Sequence, residues 1–217
     1  MNKAFIFDMD GVLIDTEHAW EGLKHQMLTR LLGPDVAANI GDLIGTSIPY
    51  LYQKAHALGS LVSQDEIAKA YRETAVDVYA TSKITDNLDA LVEMLLREGF
   101  RIGLVTQSPQ TAIDHVLPRI SFRDRLEVII SLYERDDLEM KPAPDGYLEA
   151  FRVLGADPQR SFVLEDSNPG IASAKAAGAY AIGFRGNMLA SYIQKGADAY
   201  ANTIDDVIKL VDEFTRQ

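Results

Sequence analysis

At 217 residues the chain has room for one large domain, or for a core with a smaller accessory domain, and would bury roughly 70% or more of its unfolded surface. It contains no cysteine, which excludes disulfides, thiolate catalysis and zinc–sulfur sites, and its net charge of -11 argues against nucleic acid or anionic membrane as a partner. No apolar run approaches the ~20 residues that a bilayer crossing needs, and the chain opens on strand-like sequence instead of a signal peptide, so a cytoplasmic location is expected.

The first element is the most informative. Phe5-Ile6-Phe7 is an apolar, β-compatible run that stops at Asp8-Met9-Asp10-Gly11, two carboxylates two residues apart followed by a glycine that lets the backbone turn. This reads as a strand delivering acids to its tip; a solvated acidic turn after an edge strand is the plain alternative. From about residue 17 to residue 82 no strand is evident, and apolar residues recur at helical spacing, as in Leu23, Met27, Leu28, Leu31, Leu32 and again in Ile67, Tyr71, Ala75, Val78. Gly33-Pro34, Gly41, Gly45 and Gly59-Ser60 punctuate this stretch into short helices. The spacing predicts a helical insertion over residues 16–82, with linkers near 15–16 and 81–86, between core segments 1–15 and 83–217.

Residues 87–96 form an amphipathic helix that Gly99 ends. Three further strand-like runs follow, and each leads to polar groups. Residues 101–105 end in Thr106-Gln107-Ser108, residues 126–130 lead to Lys141-Pro142-Ala143-Pro144-Asp145, and residues 160–164 end in Glu165-Asp166-Ser167. Helices are expected at 110–117, 145–154, 170–177 and 204–214, with strands near 180–184 and 199–201. Strand and helix in alternation is the pattern of a parallel sheet covered on both faces, an α/β Rossmann-like core whose ligands bind beyond the carboxyl ends of the strands. Taken singly, each tip residue has an ordinary reading. Thr106 could be a helix N-cap, Glu165 and Asp166 could cap the helix that Pro169 begins, and Lys141 could be a surface lysine.

Taken together, DMDG, the threonine after a hydrophobic strand, KPAPD and EDS occur in the order and roughly the spacing of the four motifs of the haloacid dehalogenase superfamily, which the chain resembles over nearly its whole length. The resemblance implies that Asp8 is a nucleophile, that Asp10 is a general acid/base, and that Thr106 and Lys141 hold a phosphate. It also implies a magnesium site from Asp8, Asp166, Glu165 and the Asp10 backbone carbonyl. The insertion resembles the four-helix cap of the β-phosphoglucomutase and phosphoglycolate phosphatase branch. Such a cap would close over the site and exclude water.

These residue types suit the chemistry implied. A phosphate dianion repels nucleophiles, so its transfer depends on positioning and on compensating charge, and magnesium takes hard oxygen ligands from one or two carboxylates plus the phosphate. An aspartate can carry the phosphoryl group covalently, and a second carboxyl beside it can protonate the leaving alkoxide and later deprotonate water. A halide-removing relative would not need an acid at Asp10.

The expected function is therefore a magnesium-dependent phosphatase of a small phosphorylated metabolite, a sugar phosphate or related monoester, acting as a monomer or weak homodimer. A sugar-phosphate mutase is the enzymatic alternative; mutase relatives would be expected to carry a basic residue soon after the Gly-x-Ser of the cap, where Gly45-Thr46-Ser47 is followed here by Ile48-Pro49-Tyr50. A phospho-aspartate switch is the non-enzymatic alternative, although it needs neither a helical insertion nor Asp10. Gln107 can donate an amide to substrate, and Arg72 is the cation of the insertion singled out for substrate contact.

Overall fold

Strands buried on both faces of a parallel sheet read as continuous apolar runs, and the first strand, β1 (Lys3–Phe7), is one, with Ala4, Phe5, Ile6 and Phe7 all fully buried. The computed structural model describes residues 2–40 and 48–216. After β1 come β2 (Ile14–Asp15) and the helices α1 (Thr16–Leu32), α2 (Pro34–Asn39), α3 (Ile48–Ala57) and α4 (Gln64–Thr81). The chain continues through β3 (Lys83–Ile84), α5 (Leu88–Arg97), β4 (Phe100–Thr106), α6 (Gln110–Val116), β5 (Leu126–Ser131) and α7 (Asp145–Leu154). It ends with β6 (Phe162–Glu165), α8 (Asn168–Ala176), β7 (Tyr180–Phe184), β8 (Ala199–Ala201) and α9 (Ile204–Thr215).

Two compact units result, Met1–Glu17 with Ser82–Gln217, and His18–Thr81. The first is an α/β Rossmann-like unit whose six strands lie in the order β5-β4-β1-β6-β7-β8, all parallel. β1 sits between β4 and β6, with Phe7 paired to Leu104 on one side and Leu164 on the other. The chain leaves β1, builds one flank outward, then crosses back to build the other, so β1 and its neighbours form the switch point where such sheets open a crevice. The Asp8 N–H extends the ladder by donating to the Leu164 carbonyl at 3.0 Å.

The two faces of the sheet are packed differently. Ala4, Ile6, Val105 and Val163 pack with Tyr147, Phe151 and Leu154 of α7 and Ile171 and Ala174 of α8. On the opposite parity of β1 the core is aromatic: the Phe162 ring lies 6.2 Å from Phe5, 5.8 Å from Phe100, 5.4 Å from Tyr180 and 4.9 Å from Phe214 of α9. α9 is held at its start by a reciprocal capping box between Thr203 and Asp206.

The second unit contains only helices among its described residues. Met27, Leu28 and Leu32 of α1 pack with Leu51 and Ala55 of α3 and Ile67 and Ala70 of α4, as the helical spacing predicts. Trp20 stacks on Tyr71 at 5.7 Å within it. Gly41 and the Gly45-Thr46-Ser47 segment lie outside the described residues.

Two local readings need correction. The linker positions carry a two-residue antiparallel pair, Ile14 with Ile84 and Asp15 with Lys83, too short to register as strands in a sequence pattern. The helix after Glu165 begins at Asn168, two residues earlier than expected, because Pro169 takes an early position in its first turn and Ser167 caps it.

Phe162 is the common partner of the aromatic face, so Phe162→Ala should leave a cavity between sheet and helix. Urea unfolding should show a loss of about 3–5 kcal/mol.

Candidate active site

Parallel register brings the carboxyl ends of β1, β4 and β6 to one edge, and the polar residues that terminate those strands meet there. Asp8 is 6% exposed, Thr106 1%, Lys141 7% and Glu165 0%. The Lys141 ammonium is the hub. Its Nζ donates to Asp8 Oδ1 at 2.5 Å, to Glu165 Oε1 at 2.6 Å and to the Val105 carbonyl at 3.2 Å, which uses all three of its protons. Glu165 Oε1 also accepts from the Tyr147 hydroxyl at 2.7 Å, while Oε2 accepts from the Ser167 N–H at 3.2 Å and the Ser167 hydroxyl at 3.0 Å. Glu165 is thus satisfied by the protein on both oxygens.

Asp10 stands beside this cluster, its Oδ2 accepting from the Ser108 hydroxyl at 2.6 Å. Ser108 is fixed in turn, because its N–H donates to Thr106 Oγ1 at 3.0 Å and its carbonyl accepts from the Ser131 hydroxyl at 2.7 Å. Thr106 is therefore not the N-cap of α6, a position Pro109 occupies; its hydroxyl closes the turn that leaves β4. Likewise neither Glu165 nor Asp166 caps α8. Gln107 is exposed on the same turn, and Arg72 is an exposed residue of α4 in the helical unit.

The electrostatics follow from burial and from the imbalance of signs. Burial pushes the Asp8 carboxyl up to about 8; Lys141 acts to lower it, and the charges of Glu165 and Asp10 push the same way as burial. Asp166 is raised well above the carboxylate range by burial, then by Glu165, Asp8 and Asp10. Burial acts to lower the Lys141 ammonium, but Asp8 and Glu165 outweigh it and hold it well above its ordinary value. An oxygen from each of Asp8, Glu165 and Asp166 lies within 4.8 Å of the others.

Two glycines make these approaches sterically allowed. A Cβ on Gly11, which has φ of 71°, would lie 1.9 Å from Asp166 Oδ2, and one on Gly170 would lie 1.9 Å from Glu165 Oε1. Sequence reasoning singled out Gly11 as a turn and named Ser108 among the polar residues after β4, but gave no site role to Gly170, Tyr147 or Ser108. Ser108 had a visible signal, a hydroxyl two residues past the end of a buried strand. Tyr147 fell only within the helix expected over 145–154.

The comparisons agree with this architecture. The family model of haloacid dehalogenase-like hydrolases matches residues 2–178, and the chain belongs to that family. Among its relatives, the YhcW protein of Bacillus subtilis (strain 168) is 32% identical over 184 residues, spanning 82% of this chain and 81% of that one. Hexitol phosphatase B of Escherichia coli (strain K12) is 29% identical over 179 residues, spanning 80% and 79%. A haloacid dehalogenase-like protein from Agrobacterium tumefaciens str. C58 shares the fold with a TM-score of 0.76 at 23% identity, covering 99% of each chain. The protein is therefore an enzyme of the hydrolase class. No helix among the described residues is long and apolar enough to cross a membrane.

A methyl group at Gly170 must displace the Glu165 carboxylate, whereas one at Gly22, inside α1 with nothing within 4 Å, meets only solvent. Gly170→Ala should lower the unfolding midpoint, and Gly22→Ala should raise stability by about 0.5–1 kcal/mol through helix propensity. Parallel thermal melts of the two variants check the contrast.

Proposed function

We propose that this hydrolase is a phosphatase that removes the phosphoryl group of a small phosphorylated metabolite, a sugar phosphate or related monoester, through an aspartyl-phosphate on Asp8. The observation that carries the reading is the pairing of Asp8 with a buried lysine while a second carboxyl, Asp10, is held next to it by Ser108. A nucleophile, its charge partner and an acid/base thus share one strand tip.

The donor set fits a hard divalent cation. One ammonium faces four carboxylates at a buried site, and burial with mutual repulsion already raises Asp8 and Asp166, so the cluster lacks positive charge. Asp8 and Asp166 would hold magnesium with the Asp10 carbonyl; Glu165 would contribute charge, and direct ligation by it would require exchanging one of its protein donors. Bound there, the cation would neutralise the excess charge and so admit a phosphate dianion.

Lys141 fixes Asp8 Oδ1 and leaves Oδ2 to attack. The Oδ2–P bond forms as the ester P–O bond breaks, and the leaving alkoxide takes the Asp10 proton. The Asp10 carboxylate then takes a proton from water, whose oxygen attacks phosphorus while the Asp8–P bond breaks, releasing inorganic phosphate and restoring both carboxyl groups. Lys141's longest hydrogen bond, to the Val105 carbonyl, is the one a phosphate oxygen would take over, beside the Thr106 turn and the exposed Gln107 amide.

A phosphate-release screen over hexose, glycerol, glycolate and nucleoside monophosphates tests the reading: activity should vanish with EDTA and return with magnesium. Asp8→Asn should retain less than about one percent of activity, because an amide is not a nucleophile. Isomerised sugar phosphate with little free phosphate would favour a mutase instead.

Asp10→Asn should lower kcat by about 10²–10⁴-fold with the fold retained, since it removes proton transfer. Acid quenching should then trap phosphate on Asp8; a variant at wild-type rate would remove Asp10 from the mechanism.

A further inference from the structure

The loop joining β7 to β8 plays no part in the chemistry above, yet it is tied to the β6 tip from both sides. Gln194 is 5% exposed although Ile193 before it is 79% exposed and Lys195 after it is also exposed. Its Nε2 lies 3.2 Å from the Glu165 carbonyl, 2.7 Å from the Asp166 carbonyl and 3.1 Å from the Phe184 carbonyl. Two N–H groups are thereby shared among three carbonyls at the ends of neighbouring strands. The contact is made possible by Gly183, where a Cβ would lie 2.6 Å from Gln194 Oε1.

The reverse tie comes from Asn168, two residues past Asp166. Its Nδ2 donates to the Ile193 carbonyl at 3.0 Å and its Oδ1 accepts from the Lys195 N–H at 2.8 Å, while its own N–H donates to the Tyr192 hydroxyl at 2.8 Å. One carboxamide therefore brackets residue 194 on both sides and turns it inward, and the carboxamide of Gln194 closes on the backbone from which Asp166 projects. Loop and strand tip form a reciprocal clasp.

We propose that Gln194 is a positioning residue for Asp166, and that its grip on the Glu165 and Asp166 carbonyls sets the affinity of the strand tip for a divalent cation. The effect is geometric: the Asp166 carboxylate is confined against Gly11, so a small rotation of its peptide moves the oxygens out of the cluster, and the Gln194 carboxamide holds that peptide by its carbonyl. Groups one bond removed from a ligand commonly change metal affinity 10–100-fold.

The inference rests on the metal-dependent reading above, and metal binding to the resting protein tests it apart from turnover. Calorimetric titration of magnesium, or manganese followed by electron paramagnetic resonance, should show binding to the wild type and 10–100-fold weaker binding to Gln194→Met, which keeps length and loses the donors. Asn168→Ala should weaken it in the same direction, and KM for p-nitrophenyl phosphate at saturating magnesium should change less than about twofold in Gln194→Met. Where Gln194→Met does not fold, Gln194→Asn, too short to reach the carbonyls, gives the same readout. Equal metal affinity in a folded variant overturns the proposal alone; a wild type that binds no divalent cation overturns the functional reading and this proposal with it; failure of both variants to fold makes Gln194 structural and also overturns it.

Discussion

The arrangement depends on one unequal balance of charge, a single buried ammonium among four carboxylates. Removing any of these groups from water is costly, and Lys141 compensates by donating to Asp8 and Glu165 at once. The remaining repulsion is visible in the upward displacement of Asp8 and Asp166. A site of this kind is held together by neighbours that cannot relax, which is why Glu165 has four donors and why Gly11 and Gly170 lack side chains. On the proposed reading, its unspent negative charge is what a divalent cation would offset so that a phosphate dianion could enter with it.

The sheet makes that concentration of charge attainable. β1 is flanked by β4 and β6, and Phe7 is in register with Leu104 and Leu164, so the next residues of all three strands arrive at one level without any loop having to be placed independently. Strands are stiff where both faces are packed, and here one face carries the α7 and α8 contacts and the other a cluster of rings around Phe162. The precision of the site is therefore inherited from apolar packing beneath it.

What was legible in the sequence and what was not divides along the same physical line. β1, β4 and β6 were legible because burial on two faces leaves a run of apolar residues, and their tips were legible because an acid or a hydroxyl ends such a run for few reasons. The Ile14–Asp15 and Lys83–Ile84 pair was not, since two residues carry no period. Tyr147 shows how a dual role hides: its ring belongs to the α7 core and follows the helical repeat, and only its hydroxyl, which donates to Glu165, reaches the charged cluster. Gln194 lies 28 residues from Asp166 in a segment without periodicity, and a side-chain amide on a distant carbonyl leaves no trace in composition or spacing.

A site in which nearly every donor is already engaged also constrains where chemical variety can arise. Lys141, Glu165 and Ser108 each hold another group of the cluster, so altering any of them disturbs the others. Gln107 is different, since it is exposed on the turn that Thr106 closes, and on the proposed reading its substitution would change what a bound phosphate meets without loosening the charges beneath. On the reading proposed above, the reaction would rest on strand tips whose side chains largely hold one another, and discrimination between metabolites would fall to residues whose side chains still face solvent.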